Sequence, residues 1–217
     1  VIALNGEVEV EGKKIPIQLV ALEEDAARKM TEEDGGKITH YRIDRLGIPL
    51  IEVATAPVLH TPQETEKTAL AIGRILRATS RVRRGLGTIR QDVNISIPNG
   101  ALIEIKGVQE LELVSKVVEY EVQRQLNLIK IKDELQRRGV SEKTFSNEMI
   151  DVTNIFGKTE CKVVRKAMEE DKLVLAVKLP LFVGLLKTEL MPGVRLGTEM
   201  DDRARFWGRV GGIFHND

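Results

Sequence analysis

Apolar and polar residues alternate most cleanly between Thr88 and Val108. In Thr88-Ile89-Arg90-Gln91-Asp92-Val93-Asn94-Ile95-Ser96-Ile97, an extended chain puts Arg90, Asp92, Asn94 and Ser96 on one side, and Ile89, Val93, Ile95 and Ile97 on the other. The stretch Ala101 to Val108 repeats the pattern, with Glu104 and Lys106 on one side and Ile103 and Ile105 on the other. Pro98-Asn99-Gly100 separates the two arms, so the pattern predicts a β-hairpin. A three-residue loop with Gly100 left-handed pairs Ile97 with Ala101, Asn94 with Glu104 and Asp92 with Lys106. A two-residue Asn-Gly turn would set Ile95 opposite Glu104 and mix the faces, so the longer loop is expected.

Upstream, Glu7-Val8-Glu9-Val10-Glu11 alternates, Gly12-Lys13 turns, and Ile15 to Leu22 forms a second strand running into Glu23-Glu24-Asp25. Pro16 makes the start of that strand an edge. A loop from Thr31 to His40 is expected before a short buried strand, Ile48 to Ala54, interrupted by Glu52. Thr61-Pro62-Gln63-Glu64 carries an N-cap, an N1 proline and a capping-box glutamate, and predicts a helix to about Ala78. A long helix from about Leu111 to Arg138, closed by Gly139, follows the hairpin. The order is that of an α+β layer: an open, mainly antiparallel sheet with helices on one face. We expect this domain over residues 1–140, a linker over 141–158, and a second unit over 159–217. That unit opens with a helix near Glu160 to Glu170 and a strand Leu173 to Lys178, and takes Phe206 and Trp207 into its core.

Composition narrows the function classes. Thirty-three acidic side chains balance thirty-three basic ones, so no global field marks a nucleic-acid or membrane binder, and any basic site is local. The single cysteine, Cys161, excludes an internal disulfide framework and a cysteine-built zinc site, and suits a reducing cytosol. No apolar run is long enough to span a bilayer. The chain begins at Val1 and ends in Gly211-Gly212-Ile213-Phe214-His215-Asn216-Asp217, and is expected to be a piece of a longer protein.

The candidate chemistry is carboxylate and guanidinium chemistry. Glu24, Glu52, Asp92 and Glu104 fall at strand ends or on a polar strand face. Opposite positions of a ladder lie about 4.5–5.5 Å apart at Cβ, close enough for Asp92 and Glu104 to share a divalent cation with a phosphate held by Arg90 or Lys106. Mg²⁺ takes a few carboxylates and leaves its other positions to water and phosphate oxygens. Arg81, Arg83 and Arg84 precede Gly85 and Gly87, a segment suited to phosphate from a nucleotide or an RNA backbone. A solvated sheet face and a helix C-terminus satisfying its dipole account for the same residues without a ligand. His40, His60 and His215 have no partner at metal-ligand spacing.

Three motifs in order carry a resemblance: Tyr41-Arg42-Ile43-Asp44-Arg45-Leu46-Gly47-Ile48-Pro49-Leu50-Ile51-Glu52, Arg83-Arg84-Gly85-Leu86-Gly87-Thr88-Ile89-Arg90-Gln91-Asp92, and Ile103-Glu104-Ile105-Lys106-Gly107-Val108-Gln109. They resemble the B/E family of tRNA-dependent amidotransferase subunits, with wording nearer its archaeal E branch. The resemblance implies a cradle related to glutamine synthetase. It also implies a reaction in which ATP phosphorylates the γ-carboxylate of glutamate carried on tRNA(Gln), after which ammonia displaces the phosphate. By motif it implies Glu24, Asp92 and Glu104 as Mg²⁺ ligands with Asn94 beside them, Arg90 and Lys106 on phosphate, and Arg45 and Glu52 as further catalytic candidates. The implied partners are an asparaginase-type D subunit, in a heterotetramer of the full-length protein, and tRNA(Gln); Arg81, Arg83 and Arg84 are nucleic-acid candidates read from the residues themselves. The tail from about Glu160 resembles the start of an insertion domain shared with bacterial aspartyl-tRNA synthetases. The family's opening Gly-Leu-Glu-Ile-His type strand does not occur here, so turnover is not expected from this chain alone. Two other readings are an RNA-binding scaffold without metal and a fragment of an aspartyl-tRNA synthetase.

Overall fold

A computed structural model describes residues 1–85, 87–145 and 148–217. Two compact units emerge: Val1–Val93 with Lys106–Val118, and Asn94–Ile105 with Glu119–Asp217. The boundary thus runs through the hairpin and the long helix, whereas the sequence pattern places the change of unit between Val140 and Thr159.

In the first unit, β1 (Ala3–Val10), β2 (Lys13–Glu24) and β5 (Pro49–Thr55) form an antiparallel sheet in the order β1-β2-β5. The β1–β2 turn is Glu11-Gly12, both with positive φ, joining Val10 to its partner Lys13. Pro16 lies in the central strand, at the point where its missing N–H is not needed. Its carbonyl accepts from Ala56 N–H at 2.9 Å, and the β5 ladder begins only at Ile17. The expected loop after β2 is itself a hairpin, β3 (Arg28–Glu33) and β4 (Ile38–Arg42), turning at Asp34-Gly35-Gly36. β5 is an edge strand rather than a buried one, with Ile51 49% exposed.

α1 (Pro62–Ala78) begins as its sequence demands: Thr61 Oγ1 accepts from Glu64 N–H at 3.1 Å, and Glu64 Oε2 accepts from His60 N–H at 2.8 Å. The buried Val8, Ile15 and Ile17 pack with Val58, Leu59, Ala71 and Ile72, so α1 closes one face of the sheet. Lys13 ties the edges together, donating to Val58 O at 3.1 Å and Glu64 Oε1 at 2.9 Å.

The predicted hairpin is present as β6 (Gln91–Ile95) and β7 (Ile103–Val108), paired as a two-stranded sheet. Its faces follow the alternation: Val93, Ile95 and Val108 are buried, while Asp92, Asn94, Glu104 and Lys106 are exposed. Its turn differs from the expected one. Gly100 N–H donates to Ile97 O at 3.0 Å and Asn99, not Gly100, takes the left-handed conformation at φ 63°. Pro98 at the second turn position and Asn99 at the third suit this geometry.

The second unit is organised on α2 (Leu111–Arg137), which spans both units. Ile131, Leu185 and Leu190 form its core with Leu128, Leu135, Phe182 and Leu196. Beyond α2 lie β8 (Ile150–Asp151), α3 (Lys162–Glu169), β9 (Leu175–Ala176), β10 (Glu189–Met191), β11 (Val194–Arg195) and α4 (Leu196–Gly208). Gln125 is buried and accepts from Ala101 N–H at 3.0 Å while donating to Glu121 at 2.9 Å, so it pins the hairpin loop to the helix. Arg124 pairs with Glu121 at 3.0 Å and Glu199 at 2.5 Å, joining α2 to α4. Phe206 and Trp207 are 75% and 79% exposed, against their expected place in the core. They stack edge to face on each other instead. The described strands form one three-stranded and four two-stranded sheets, with antiparallel pairing in every register described.

Candidate active site

The first unit brings charged residues together where β2 and β5 end and the chain enters β6. The β2–β5 register sets Ala21 opposite Glu52 and Glu23 opposite Leu50. Because side chains alternate along a strand, Glu23 and Glu52 are diagonal neighbours on one face and Glu24 points to the other. The Glu52 carboxyl is held above the usual carboxylate range, chiefly by the negative charge of Glu23. Partial burial, a hydrogen bond with Glu23 and the charge of Asp92 push the same way, and Lys106 opposes them. Asp92 is fixed by Gly107, whose N–H donates to Asp92 Oδ1 at 2.7 Å. Gly107 takes φ +72°, a bend inside β7 that glycine adopts freely.

Asp25 follows β2 and continues its pairing: Asp25 N–H donates to Ile48 O at 2.8 Å and Gly47 N–H to Asp25 O at 3.0 Å. The Arg45-Leu46-Gly47-Ile48 turn, closed by Ile48 N–H to Arg45 O at 3.1 Å, thereby sits beside Asp25. Asp25 Oδ2 is buried, 2.6 Å from the Arg45 guanidinium and 3.5 Å from that of Arg90. Neither guanidinium aims an N–H along the contact, so the attraction is Coulombic rather than an aligned hydrogen bond. Asp25 thus holds two half-exposed arginines on one carboxylate oxygen. Nearby, the buried Gln91 Oε1 has no hydrogen-bond donor.

The structure therefore gathers Arg45, Glu52, Arg90, Asp92 and Lys106 in one unit. Glu24 lies on the opposite face of β2, and Asn94 and Glu104 belong to the second unit, at exposed positions of β6 and β7. Pattern reading missed Asp25 and Gln91, and named Glu23 only as a neighbour of Glu24. The choice between Glu23 and Glu24 depends on the β2–β5 register, which no local pattern specifies. Arg81, Arg83 and Arg84 are exposed in the loop between α1 and β6. His40 lies 3.3 Å from Glu33 on the β3–β4 hairpin.

Among the described residues, no three His, Cys, Asp or Glu side chains converge as a metal cage. The Glu23–Glu52 pair is nonetheless a hard-oxygen donor set whose mutual repulsion a cation would relieve, and Mg²⁺ needs only one or two carboxylates when phosphate and water complete its shell. Among the described residues no helix is long and apolar enough to cross a membrane.

Residues 1–177 match the family described as GatB/GatE catalytic domain. Along its whole length the chain is 53% identical to the E-type component of the glutamyl-tRNA(Gln) amidotransferase of Aeropyrum pernix, covering 34% of that protein. It is likewise 52% identical to the E-type components of the same amidotransferase in Thermococcus sibiricus and Pyrococcus furiosus, each covered to 34%. The chain spans about a third of the length of the curated relatives it matches. A match over most of its residues and half identity throughout mean that this chain belongs to the GatB/GatE catalytic domain family.

Proposed function

We propose that the chain is part of the catalytic cradle of an ATP- and Mg²⁺-dependent glutamyl-tRNA(Gln) amidotransferase, working in the full protein with an asparaginase-type, ammonia-supplying partner. The observation that carries this is the placement of the Glu23–Glu52–Asp92 carboxylates and the Arg45–Arg90 guanidiniums at one strand end of the first unit. In the reaction, a γ-carboxylate oxygen of the glutamyl ester attacks the γ-phosphorus of ATP and ADP leaves. Ammonia then adds to the acyl phosphate carbon, inorganic phosphate departs with the C–O electron pair, and the nitrogen loses a proton to form the amide.

Both steps handle concentrated negative charge. Arg90 and Lys106 are the cations that contact transferring phosphate, and Arg45 is held with Arg90 by Asp25 so that both are oriented before substrate arrives. Glu52 and Glu23 would hold Mg²⁺, with Asp92 beside them. When bound, the ion neutralises charge developing on the phosphate oxygens. The cytosolic setting and the heterotetramer belong to the same proposal.

Mn²⁺ substitution tests it directly, since free Mn²⁺ is counted by its paramagnetic resonance signal. Glu52→Gln and Glu23→Gln should each weaken binding to this chain by about tenfold or more, the 1.4 kcal/mol level at which one lost ligand is visible. Glu24→Gln should leave it unchanged. Equal loss from Glu24→Gln, with none from Glu23→Gln, would overturn the assignment.

A further inference from the structure

We infer that the outer face of α1 and the loop after it form an RNA phosphate-binding stripe that includes Arg74 and Arg77. The overall charge of the chain is zero, yet no Asp or Glu occurs between Glu66 and Asp92. Over the same stretch stand Lys67, Arg74, Arg77, Arg81, Arg83, Arg84 and Arg90. Lys67 is committed to Glu11 at 2.7 Å and Arg90 contacts Asp25. The other five arginines are exposed, and no carboxylate lies within ion-pair distance of them among the described residues.

Elsewhere most arginines are neutralised locally, the exceptions among the described residues being the scattered Arg28, Arg165, Arg195 and Arg209, which form no comparable acid-free run. Arg42, Arg45, Arg124, Arg137, Arg138, Arg203 and Arg205 each have a carboxylate partner. Unpaired, adjacent guanidiniums repel one another, and such an arrangement is stabilised by a polyanion that bridges them. Arg74 and Arg77 are three apart on α1 and so share one face of the helix. Arg81 follows the left-handed turn at Ser80 (φ 57°), where its own N–H is held by Thr79 Oγ1 at 3.2 Å. The run therefore extends from the last turns of the helix into the loop without interruption by an acid. A single nucleotide offers too few phosphates for guanidiniums spread over eleven residue positions from Arg74 to Arg84, while an RNA backbone presents a phosphate at every nucleotide.

The ligand follows from the proposed tRNA reaction, but the charge does not, and the test separates the two. Binding of a tRNA transcript to this chain is measured across a salt series. Each phosphate contact contributes a slope of about −0.7 to −0.9 in log K against log salt. The variant Arg74→Gln/Arg77→Gln should flatten the slope by about 1.4 to 1.8, and Lys130→Gln/Lys132→Gln, an equal charge change on α2, should leave it alone. Competition with ATP distinguishes a nucleotide site: the stripe is expected to keep tRNA in saturating ATP, and displacement would overturn the inference. So would an unchanged slope in the α1 variant, or an equal change in the α2 control. If the slope behaves as expected while Mn²⁺ binding ignores Glu52→Gln, the stripe stands and the metal assignment falls. The reverse outcome removes the stripe and leaves the metal site.

Discussion

Asp25 carries two guanidiniums on one buried carboxylate oxygen, and its replacement shows what that arrangement is worth. Asp25→Asn keeps the shape and removes the charge, leaving Arg45 and Arg90 to repel one another. Both are partly solvated, so the loss is modest: about 1 kcal/mol in urea unfolding, in the range of partly exposed pairs. An unchanged midpoint would mean that water already screens the pair. On the proposed function, the same variant should also weaken nucleotide binding by the full-length protein, since Asp25 would no longer hold Arg90. At this scale the sequence was informative about residue type and less so about neighbours. The exposed placement of Asp92 and Lys106 on the hairpin was legible because alternation acts along each strand. Glu23 and Asp25 were not, because a one-residue change in strand pairing exchanges the two faces of β2 and only the partner strand decides between them.

Elements with local chemistry follow their sequence closely. α1 starts at Pro62 because Thr61 caps it, and Thr61→Ala should cost about 1 kcal/mol in thermal or urea unfolding. Glu64 is held at a pKa of about 2, below its ordinary 4.5, first by the His60 N–H and then by Lys13. A carboxyl lowered on folding stabilises the protein while ionised, so its contribution is complete above the ordinary value and is lost as the pH falls through the folded one. Glu64→Gln should therefore lower stability by a constant amount above about pH 5 and flatten the acid limb between about pH 5 and 2, the two profiles converging at the acid end. The hairpin turn is a counter-example. Pro98-Asn99-Gly100 predicted a turn correctly, yet the left-handed residue is Asn99, since Gly100 is pressed against Gln125 and Ile97. Gly100→Ala should overlap the Gln125 amide and cost about 1–3 kcal/mol, the range for overpacked sites. A neutral result by urea titration would show that the loop yields.

At the scale of the molecule, buried charge decides the integrity of the second unit. Arg124→Ala strands Glu121, only 6% exposed, together with Glu199, and should cost about 3 kcal/mol or more, the signature of breaking a buried pair from one side. Circular dichroism during urea unfolding would read it, and a loss below about 1 kcal/mol, the level of exposed pairs, would mean that the network is solvated. What the sequence by itself determined was the family, the helices with their caps, the strands with their alternation and the acid-free run of arginines. These are encoded by neighbouring residues, whose propensities and spacing act over a few positions. The tertiary structure alone decided that Glu23 and not Glu24 meets Glu52, that Asp25 gathers Arg45 and Arg90, that β5 is an edge strand, that the unit boundary passes through α2, and that Phe206 and Trp207 stay outside the core. Each depends on segments far apart in the chain, and strand register and helix docking are set by the whole packed interface rather than by any local run of residues.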